Sequence, residues 1–252
     1  MRKRLSIMST GEMFQRRTET ESESDGPRSL IESTYEQLSL DIVHGKYGPG
    51  DKLRLQPLSE NYGVSVGTVR ESLSLLVSDG LVLTQSQKGF RVAPMSLVDF
   101  EDLTKARVLL EASALRDSIV SGKDDWEGRV VQAYHQLSLA EKRLEANPIA
   151  GFEIWEQRNQ EFHDALVSAS SSRWVQKFRV ILYKQAERYR RLSTASRVSP
   201  GVLAHSEHEK IFELAIARDA DAAVEALSFH IWSAVEFLKG RGLILESPDK
   251  EG

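Results

Sequence analysis

The sequence predicts a mostly α-helical protein with two parts, a small N-terminal unit that contains one β-hairpin and a C-terminal antiparallel bundle of about six helices. Two observations lead to this prediction. Apolar residues recur at helical spacing on both sides of a tight turn at Gly63, and two short β-type runs follow. From about residue 98 to residue 240, nearly all of the chain has helical periodicity that only short turn sequences interrupt.

The turn at Gly63 separates two short helices. The first is predicted over Gln56 to Tyr62, and the second begins near Val66. We interpret them as two helices that cross, as in a helix-turn-helix whose second helix places its N-terminal residues in a DNA major groove. The apolar residues that define the second helix are Val66, Val69, Leu73, Leu76 and Val77.

Two short β-type runs follow the second helix. They cover Leu81 to Thr84 and Phe90 to Ala93, and the polar sequence between them is typical of a hairpin, or wing. An amphipathic helix from about Arg28 to Val43 precedes the motif. We therefore predict a winged helix-turn-helix domain over residues 28–94, after a tail over residues 1–27 whose composition is typical of disorder.

The second part of the chain is predicted to be a helical bundle. Turn sequences such as Asn147-Pro148 and Ser199-Pro200-Gly201 divide it into six segments with short connections, and helices connected in this way pack antiparallel. We place this domain at residues 98–240 and a flexible end at residues 241–252. The predicted helices are Val98–Ser121, Asp125–Ala146, Ile149–Ser168, Ser172–Ser193, Val202–Ala217 and Asp219–Lys239.

The composition restricts the classes of function. The 252 residues include no cysteine, which excludes disulfides, thiolate metal sites and thiol nucleophiles. No apolar run approaches the ~20 residues of a membrane span and no signal peptide is evident, so we expect a cytoplasmic protein without a membrane partner. The net charge of -4 does not by itself indicate nucleic-acid binding. Affinity for DNA would therefore depend on dimerisation and on the placement of individual contacts.

Several polar residues occupy positions that the apolar period assigns to the interior of the bundle. Asn159 and His163 lie one turn apart in the third helix, while His208 and His230 lie among apolar residues of the fifth and sixth helices. The step of 22 residues between these last two suits antiparallel helices joined by a tight turn. Three imidazoles and an amide oxygen can bind a divalent ion such as zinc or nickel. Alternatively, each is an ordinary core histidine with satisfied hydrogen bonds.

Arginines also occupy inward positions of the bundle. Arg107 lies on an apolar face one turn before Glu111, so it is either half of a structural ion pair or a ligand contact. In the fourth helix Arg188 and Tyr189 are predicted to lie at the buried side, whereas Arg190 is predicted to face outward. An inward arginine and tyrosine above a bound cation would form an anion pocket. The alternative is a snorkelling arginine beside a core tyrosine.

With these residues in view, the chain resembles the GntR family of transcriptional regulators, and within it the FadR subfamily, in which a winged helix-turn-helix precedes a helical effector-binding (FCD) domain. The wing sequence Gln87–Ala93 and the fourth-helix sequence Glu187–Arg190 are most similar to the carbon-starvation-induced, glutarate-responsive type. The resemblance covers about Tyr35 to Leu238. It is carried by Ile42–Tyr47 with Pro49-Gly50-Asp51, Gly63-Val64-Ser65, Val69–Leu73, Asp79–Val82, Arg107 with Leu110-Glu111, Phe162-His163, His208 and His230.

The resemblance implies a homodimer that binds a palindromic operator in double-stranded DNA, with one recognition helix per half-site. Gln56 and Val66 occupy positions at which family members often have arginine. Arg70 matches the arginine of the family at its position. The alternative for Arg70 is a surface residue paired with a neighbouring glutamate. The predicted DNA-binding residues are Gln56, Ser65, Val66, Gly67, Thr68, Arg70, Lys88 and Gly89.

The resemblance also implies a divalent metal ion in the bundle and an effector bound beside it. Many family members have aspartate where this chain has Asn159. An amide leaves the site one charge more positive, so we expect a small mono- or dicarboxylate effector to complete the coordination. The predicted metal ligands are Asn159, His163, His208 and His230, and the predicted effector-binding residues are Arg107, Arg188 and Tyr189.

The sequence thus favours a ligand-responsive transcription factor, and specifically a repressor. Two other classes stay open. A metal-dependent hydrolase or isomerase could be built on the three histidines, although it would leave the winged domain without a role. A DNA-binding protein without an effector is the second, and no small molecule would stabilise it.

Overall fold

The computed structural model describes residues 29–85, 89–192 and 200–244, without the side chains of residues 200–203. The predicted tail over residues 1–27 and most of the predicted flexible end therefore lie outside the described residues, as does Lys88. In chain order the elements are α1 (Leu30–Val43), β1 (Lys52–Leu53), α2 (Leu55–Tyr62), α3 (Val66–Ser78), β2 (Val82–Gln85), β3 (Gly89–Val92), α4 (Leu97–Ser121), α5 (Asp124–Ala146), α6 (Pro148–Leu166), α7 (Arg173–Leu192), α8 (Pro200–Ile216) and α9 (Ala220–Gly240).

The N-terminal domain is a winged helix-turn-helix. Helix α2 ends at Gly63, whose φ of 64° permits the left-handed turn that a side chain would disfavour. Helix α3 starts directly afterwards, because the Ser65 hydroxyl accepts a hydrogen bond from the amide of Thr68. The two helices pack with α1 around a core of apolar side chains. That core contains Leu38, Ile42, Leu58, Val69, Leu73, Leu76, Leu81, Val82 and Val92.

The wing is part of a three-stranded antiparallel sheet with the order β1-β3-β2. The hairpin strands β2 and β3 pair so that Val82 faces Val92. Strand β1 adds Leu53 opposite Phe90, and the sequence did not predict this strand. Two residues are too few to show the alternation by which strands are recognised in a sequence.

The C-terminal domain is a bundle of six helices, α4 to α9, so the predicted fold class is confirmed. Side-chain caps at helix starts are provided by Ser96 before α4, Asn147 before α6 and Asp219 before α9. The bundle core is rich in large side chains, including Leu115, Trp126, Trp155, Phe162 and Ile211. None of the helices within the described ranges is both long and apolar enough to cross a membrane.

Helix α7 joins the bundle to the winged domain. The Gln185 side-chain amide donates to the carbonyl of Asp79, the residue that ends the recognition helix α3, at 2.7 Å. One turn later, Nη2 of Arg188 donates to the carbonyl of Ala93, directly after the wing, also at 2.7 Å. The Tyr35 hydroxyl of α1 donates to the Asp79 carboxylate. Helix α7 is thus tied to both ends of the segment that forms the wing, and the first of these is also the end of the recognition helix.

Candidate functional site

The exposed face of the recognition helix begins at its N-terminal cap. Ser65 and Gly67 are exposed, Val66 and Thr68 are half-buried, and the hydroxyls of Ser65 and Thr68 lie 2.9 Å apart. Arg70 is exposed, and among the described residues its guanidinium makes no ion pair. The alternative of a pair with a neighbouring glutamate is therefore not favoured. The first turn of α3 presents amides, hydroxyls and one unpaired cation on a single surface.

The elements beside the recognition helix add fewer polar groups to this surface. Gln56 is exposed, but its Nε2 donates a hydrogen bond to Oε1 of Glu60 at 3.0 Å. Part of its side-chain amide is therefore already in use. Arg54, the exposed residue directly before α2, was missed by the sequence reasoning. Its position next to the first helix of the motif was the available signal. Gly89 starts β3 with a φ of 84°, a conformation suited to glycine.

The three inward histidines of the bundle converge as the sequence predicts. His163 of α6, His208 of α8 and His230 of α9 each offer a ligand atom, and these atoms all lie within 4.8 Å of one another. The Nε2 atoms of His208 and His230 are 3.2 Å apart, because antiparallel packing of α8 and α9 brings the two rings level. Side chains this deeply buried and this close together form a nitrogen-rich cluster suited to a divalent ion.

Asn159 lines the same small cavity as His163 and His230. Its Nδ2 donates to the hydroxyl of Tyr183 at 2.8 Å. Its Oδ1 is buried and has no hydrogen-bond partner among the described residues. A buried acceptor without a partner is costly, and a bound cation would satisfy it. The donor set of three imidazoles and one amide oxygen therefore fits a metal ion.

Two of these histidines, His163 and His230, have depressed pKa values. Burial, followed by repulsion from the neighbouring His208, lowers the pKa of His230 to about 4. Burial, followed by repulsion from His230 and His208, likewise puts the pKa of His163 well below its ordinary value. A group with a depressed pKa is neutral above that pKa, so at pH 7 these imidazoles keep lone pairs for a ligand.

A carboxylate lies behind each histidine. Glu141 approaches Nδ1 of His208 to 2.6 Å, and Glu207 approaches Nδ1 of His230 to 2.8 Å. Glu111 lies 3.7 Å from Nδ1 of His163. The sequence reasoning missed the roles of Glu141 and Glu207. A signal existed for the first of them, since Glu141 falls on the stripe of α5 that also contains Leu137 and Leu144.

Two arginines line the small cavity beside the histidines. Arg107 uses Nε and Nη2 to bind Glu111, both at 2.9 Å, so the predicted structural pair is present and also faces the cavity. Arg190 binds both oxygens of Glu156. The cavity has a volume of about 30 Å³. Its lining residues are Arg107, Trp155, Asn159, His163, Arg190, Ala204, His230, Ile231, Ser233 and Ala234.

The placement predicted for the arginines of α7 is corrected by the structure. Arg188 reaches the winged domain at Ala93, and Tyr189 bonds Asp99 and stacks on Phe100, so neither lines the histidine cavity. Arg190, which was predicted to face outward, lines the cavity instead. Helix α7 is buried on two sides, by the bundle and by the winged domain. Periodicity identifies a buried face but does not identify what covers it.

Comparison with known proteins relates both domains to described families. Residues 30–92 match the family described as bacterial regulatory proteins, gntR family, and residues 102–232 match the FCD domain. The chain is a GntR-family regulator with an FCD domain. This GntR regulator is 49% identical to the HTH-type transcriptional regulator BphR of Paraburkholderia xenovorans, over 86% of the chain and 88% of BphR. It is 33% identical to the HTH-type transcriptional repressor GlaR of Escherichia coli, over 81% of the chain and 94% of GlaR.

Solved structures share the fold of this GntR regulator. McbR/YncC of E. coli superposes with a TM-score of 0.70 at 17% identity, covering 86% of this chain and 100% of that one. A putative GntR regulator from a Rhodococcus species superposes with a TM-score of 0.67 at 22% identity, covering 84% of this chain and 99% of that one. Membership of this family makes the chain a DNA-binding transcriptional regulator and not an enzyme. The hydrolase alternative is thereby set aside.

Proposed function

We propose that this regulator is a homodimeric repressor that binds a palindromic operator and is controlled by a small dicarboxylate, bound at a divalent metal ion in the FCD domain. The observation that carries the proposal is the cluster of three histidines, beside a cavity that Asn159, with its unpartnered amide oxygen, and two arginines line. Similarity to GlaR, a repressor, supports the direction of regulation. Resemblance to the glutarate-responsive type supports the class of effector.

A divalent ion would make the cavity able to bind a carboxylate effector. Arg107 is neutralised by Glu111, and Arg190 by Glu156, so the side chains at these pairs sum to zero. Asn159 adds no charge, and a divalent ion held beside it would add two positive charges, close to the carboxylates of Glu141 and Glu207. Four protein ligands would fill a tetrahedral zinc site, so a carboxylate oxygen would bind by expanding the coordination to five. Coordination chemistry, and not a net charge, therefore supports a carboxylate as the class of effector.

The size of the cavity adds a conformational requirement. About 30 Å³ accommodates roughly two water molecules or an ion, but not a five-carbon diacid. Arg190, in the last turn of α7, and Ala204, near the start of α8, belong to its wall. We infer that these two turns separate when the effector enters.

Helix α7 links this separation to DNA binding. Its Tyr183 and Arg190 face the site, and its Gln185 and Arg188 hold the end of the recognition helix and the wing. A shift of α7 therefore alters the position of the recognition helix relative to the bundle. The effector changes operator affinity only by as much as it prefers one of the two arrangements.

The dimer is expected to form through the face shared by α4 and α7. These helices run antiparallel, since Asp117 near the end of α4 accepts a hydrogen bond from the amide of Ser171 before α7. Leu109 of α4 is 73% exposed, and the stacked pair of Trp174 and Phe178 on α7 is about half exposed. Apolar groups exposed together in this way mark an interaction surface.

Charge complementarity indicates that a second copy of the chain covers this face. Asp102 lies near the start of α4, while Arg173 and Lys177 lie at the start of α7 and flank Trp174 at 5.7 and 5.4 Å. Acidic and basic groups therefore occupy opposite ends of one face. A two-fold axis through its centre would place the acidic end of each protomer against the basic end of its partner.

Replacing Phe178 with glutamate should dissociate the dimer, because a charge would be buried in the apolar centre of the interface. We expect the dimer dissociation constant to rise by about 100-fold or more, as measured by sedimentation equilibrium. Phe229→Glu is the matched control, since Phe229 is 66% exposed on α9, away from the proposed face. A Phe178→Glu protein that stays dimeric, or a Phe229→Glu protein that dissociates, would place the interface elsewhere.

The proposed effector site is tested by a thermal-shift screen of C2 to C6 mono- and dicarboxylates, on zinc-loaded, nickel-loaded and chelator-treated protein. We expect one dicarboxylate to raise the melting temperature only when metal is bound, and to lower the affinity for operator DNA. Stabilisation by the acid that is equal with and without metal would refute coordination at the ion. Absence of stabilisation by every acid in metal-loaded protein would favour the effector-free alternative.

A further inference from the structure

Glu141 is a buried carboxylate whose only ionic partners within the described part of the chain are imidazoles. It lies on the inward stripe of α5 and is 4% exposed. Its Oε1 is 2.6 Å from Nδ1 of His208, and its Oε2 is 2.5 Å from Nδ1 of His205. No lysine or arginine among the described residues pairs with it. Burial of an uncompensated carboxylate is costly, so its position requires an explanation.

The contact with His208 determines which nitrogen of that ring is available. Because the carboxylate accepts a hydrogen bond from Nδ1–H, the neutral ring carries its lone pair on Nε2. That atom faces the cluster, 3.2 Å from Nε2 of His230. A carboxylate behind a ligating imidazole fixes the tautomer and the orientation of the ring, and raises its basicity.

We propose that Glu141 is the main positioning residue of the metal centre and that His205 holds it in place from the solvent side. This inference rests on the metal site of the proposed function. His205 is 44% exposed and bonds the carboxylate oxygen that His208 does not use. The hydrogen bond with His205 keeps the other oxygen of Glu141 directed at His208. The negative charge of Glu141 remains available to a bound cation.

The two other carboxylates are less suited to this role. Glu207 also accepts a hydrogen bond from Ser233 and is 19% exposed, so solvent screens its charge more strongly. Glu111 is 3.7 Å from His163 and is neutralised by Arg107. A divalent ion would therefore compensate the charge of Glu141 more than that of either other glutamate. Removal of this charge should therefore lower the affinity for the metal without lowering the stability of the metal-free protein.

The test is a zinc affinity measurement by competition with a fluorescent chelator, for the full-length protein and its Glu141→Gln variant. We expect zinc to bind about 10- to 100-fold more weakly to the variant. The melting temperature of the metal-free variant should equal or exceed that of the metal-free wild type. Glu145→Gln is the matched control, because Glu145 lies in the same helix and is exposed. Its zinc affinity should be unchanged.

Two further measurements separate a positioning role from a general structural one. Ring ¹⁵N shifts should show His208 of the metal-free wild type as the Nδ1–H tautomer and that of Glu141→Gln as a mixture. His205→Ala should weaken zinc binding less than Glu141→Gln does. Zinc affinity of Glu141→Gln equal to that of the control, or a larger loss in His205→Ala, would overturn the inference. A wild-type protein that binds no zinc or nickel would instead refute the proposed metal site itself.

Discussion

Replacing Arg70 with alanine should weaken operator binding by about 1–3 kcal/mol per half-site, and the loss should depend on the operator sequence. Arg70 is exposed in the first turns of the recognition helix, and its guanidinium makes no ion pair within the described residues. It is therefore available to contact a base edge. The measurement is fluorescence anisotropy with the native operator and with operators substituted at each position of one half-site.

Arg129→Ala is the control for Arg70→Ala, because it removes the same charge from the exposed side of bundle helix α5. The control should leave operator affinity unchanged, and both variants should keep the wild-type free energy of unfolding to within about 0.5 kcal/mol. Uniform weakening of Arg70→Ala on every operator, with a reduced salt dependence, would show a phosphate contact instead of a base contact. Unchanged affinity would exclude Arg70 from the interface.

Replacing Arg107 with methionine should lower the free energy of unfolding of the metal-free protein by about 3–5 kcal/mol, because the Glu111 carboxylate would remain buried without its partner. Both side chains of this pair are almost completely buried. The free energy of unfolding of the double variant Arg107→Met, Glu111→Gln should lie within about 1 kcal/mol of the wild-type value, since no uncompensated charge remains. Urea denaturation in the presence of a chelator measures both differences.

The double variant also separates the structural role of Arg107 from its proposed role in effector binding. If Arg107 binds the acid, the stable double variant should no longer be stabilised by any dicarboxylate, although it still binds zinc. Retained stabilisation by the acid would leave Arg107 with a structural role alone. Full stability of Arg107→Met by itself would contradict the burial of the pair.

The sequence was sufficient for the architecture and for part of the site. Apolar periodicity locates the helices, because each must bury one stripe, and Gly63 indicates the tight turn of the motif through its backbone freedom. The convergence of His163, His208 and His230 was also predictable. Antiparallel helices joined by a short turn restrict which positions can lie level with each other.

The remaining features depend on tertiary packing that no single helix encodes. Helix α7 is covered by two domains, so its apolar periodicity does not distinguish which buried residue contacts which domain. Arg188 contacts the residue after the wing, whereas Arg190 lines the cavity. The carboxylate of Glu141 reaches His208 across 67 residues of sequence. Such pairs arise from the relative rotation of packed helices, and a change of one position along a helix turns a side chain by about 100°.

The hydrogen bond between Gln185 and the end of the recognition helix has a consequence for the operator as well as for the effector. Free-energy coupling between two sites is reciprocal, so whatever factor the acid imposes on DNA affinity, DNA imposes on acid affinity. A regulator on its operator and one free in solution would then respond to different concentrations of the same metabolite. The operator in each promoter would then help to set the metabolite concentration at which its gene is derepressed.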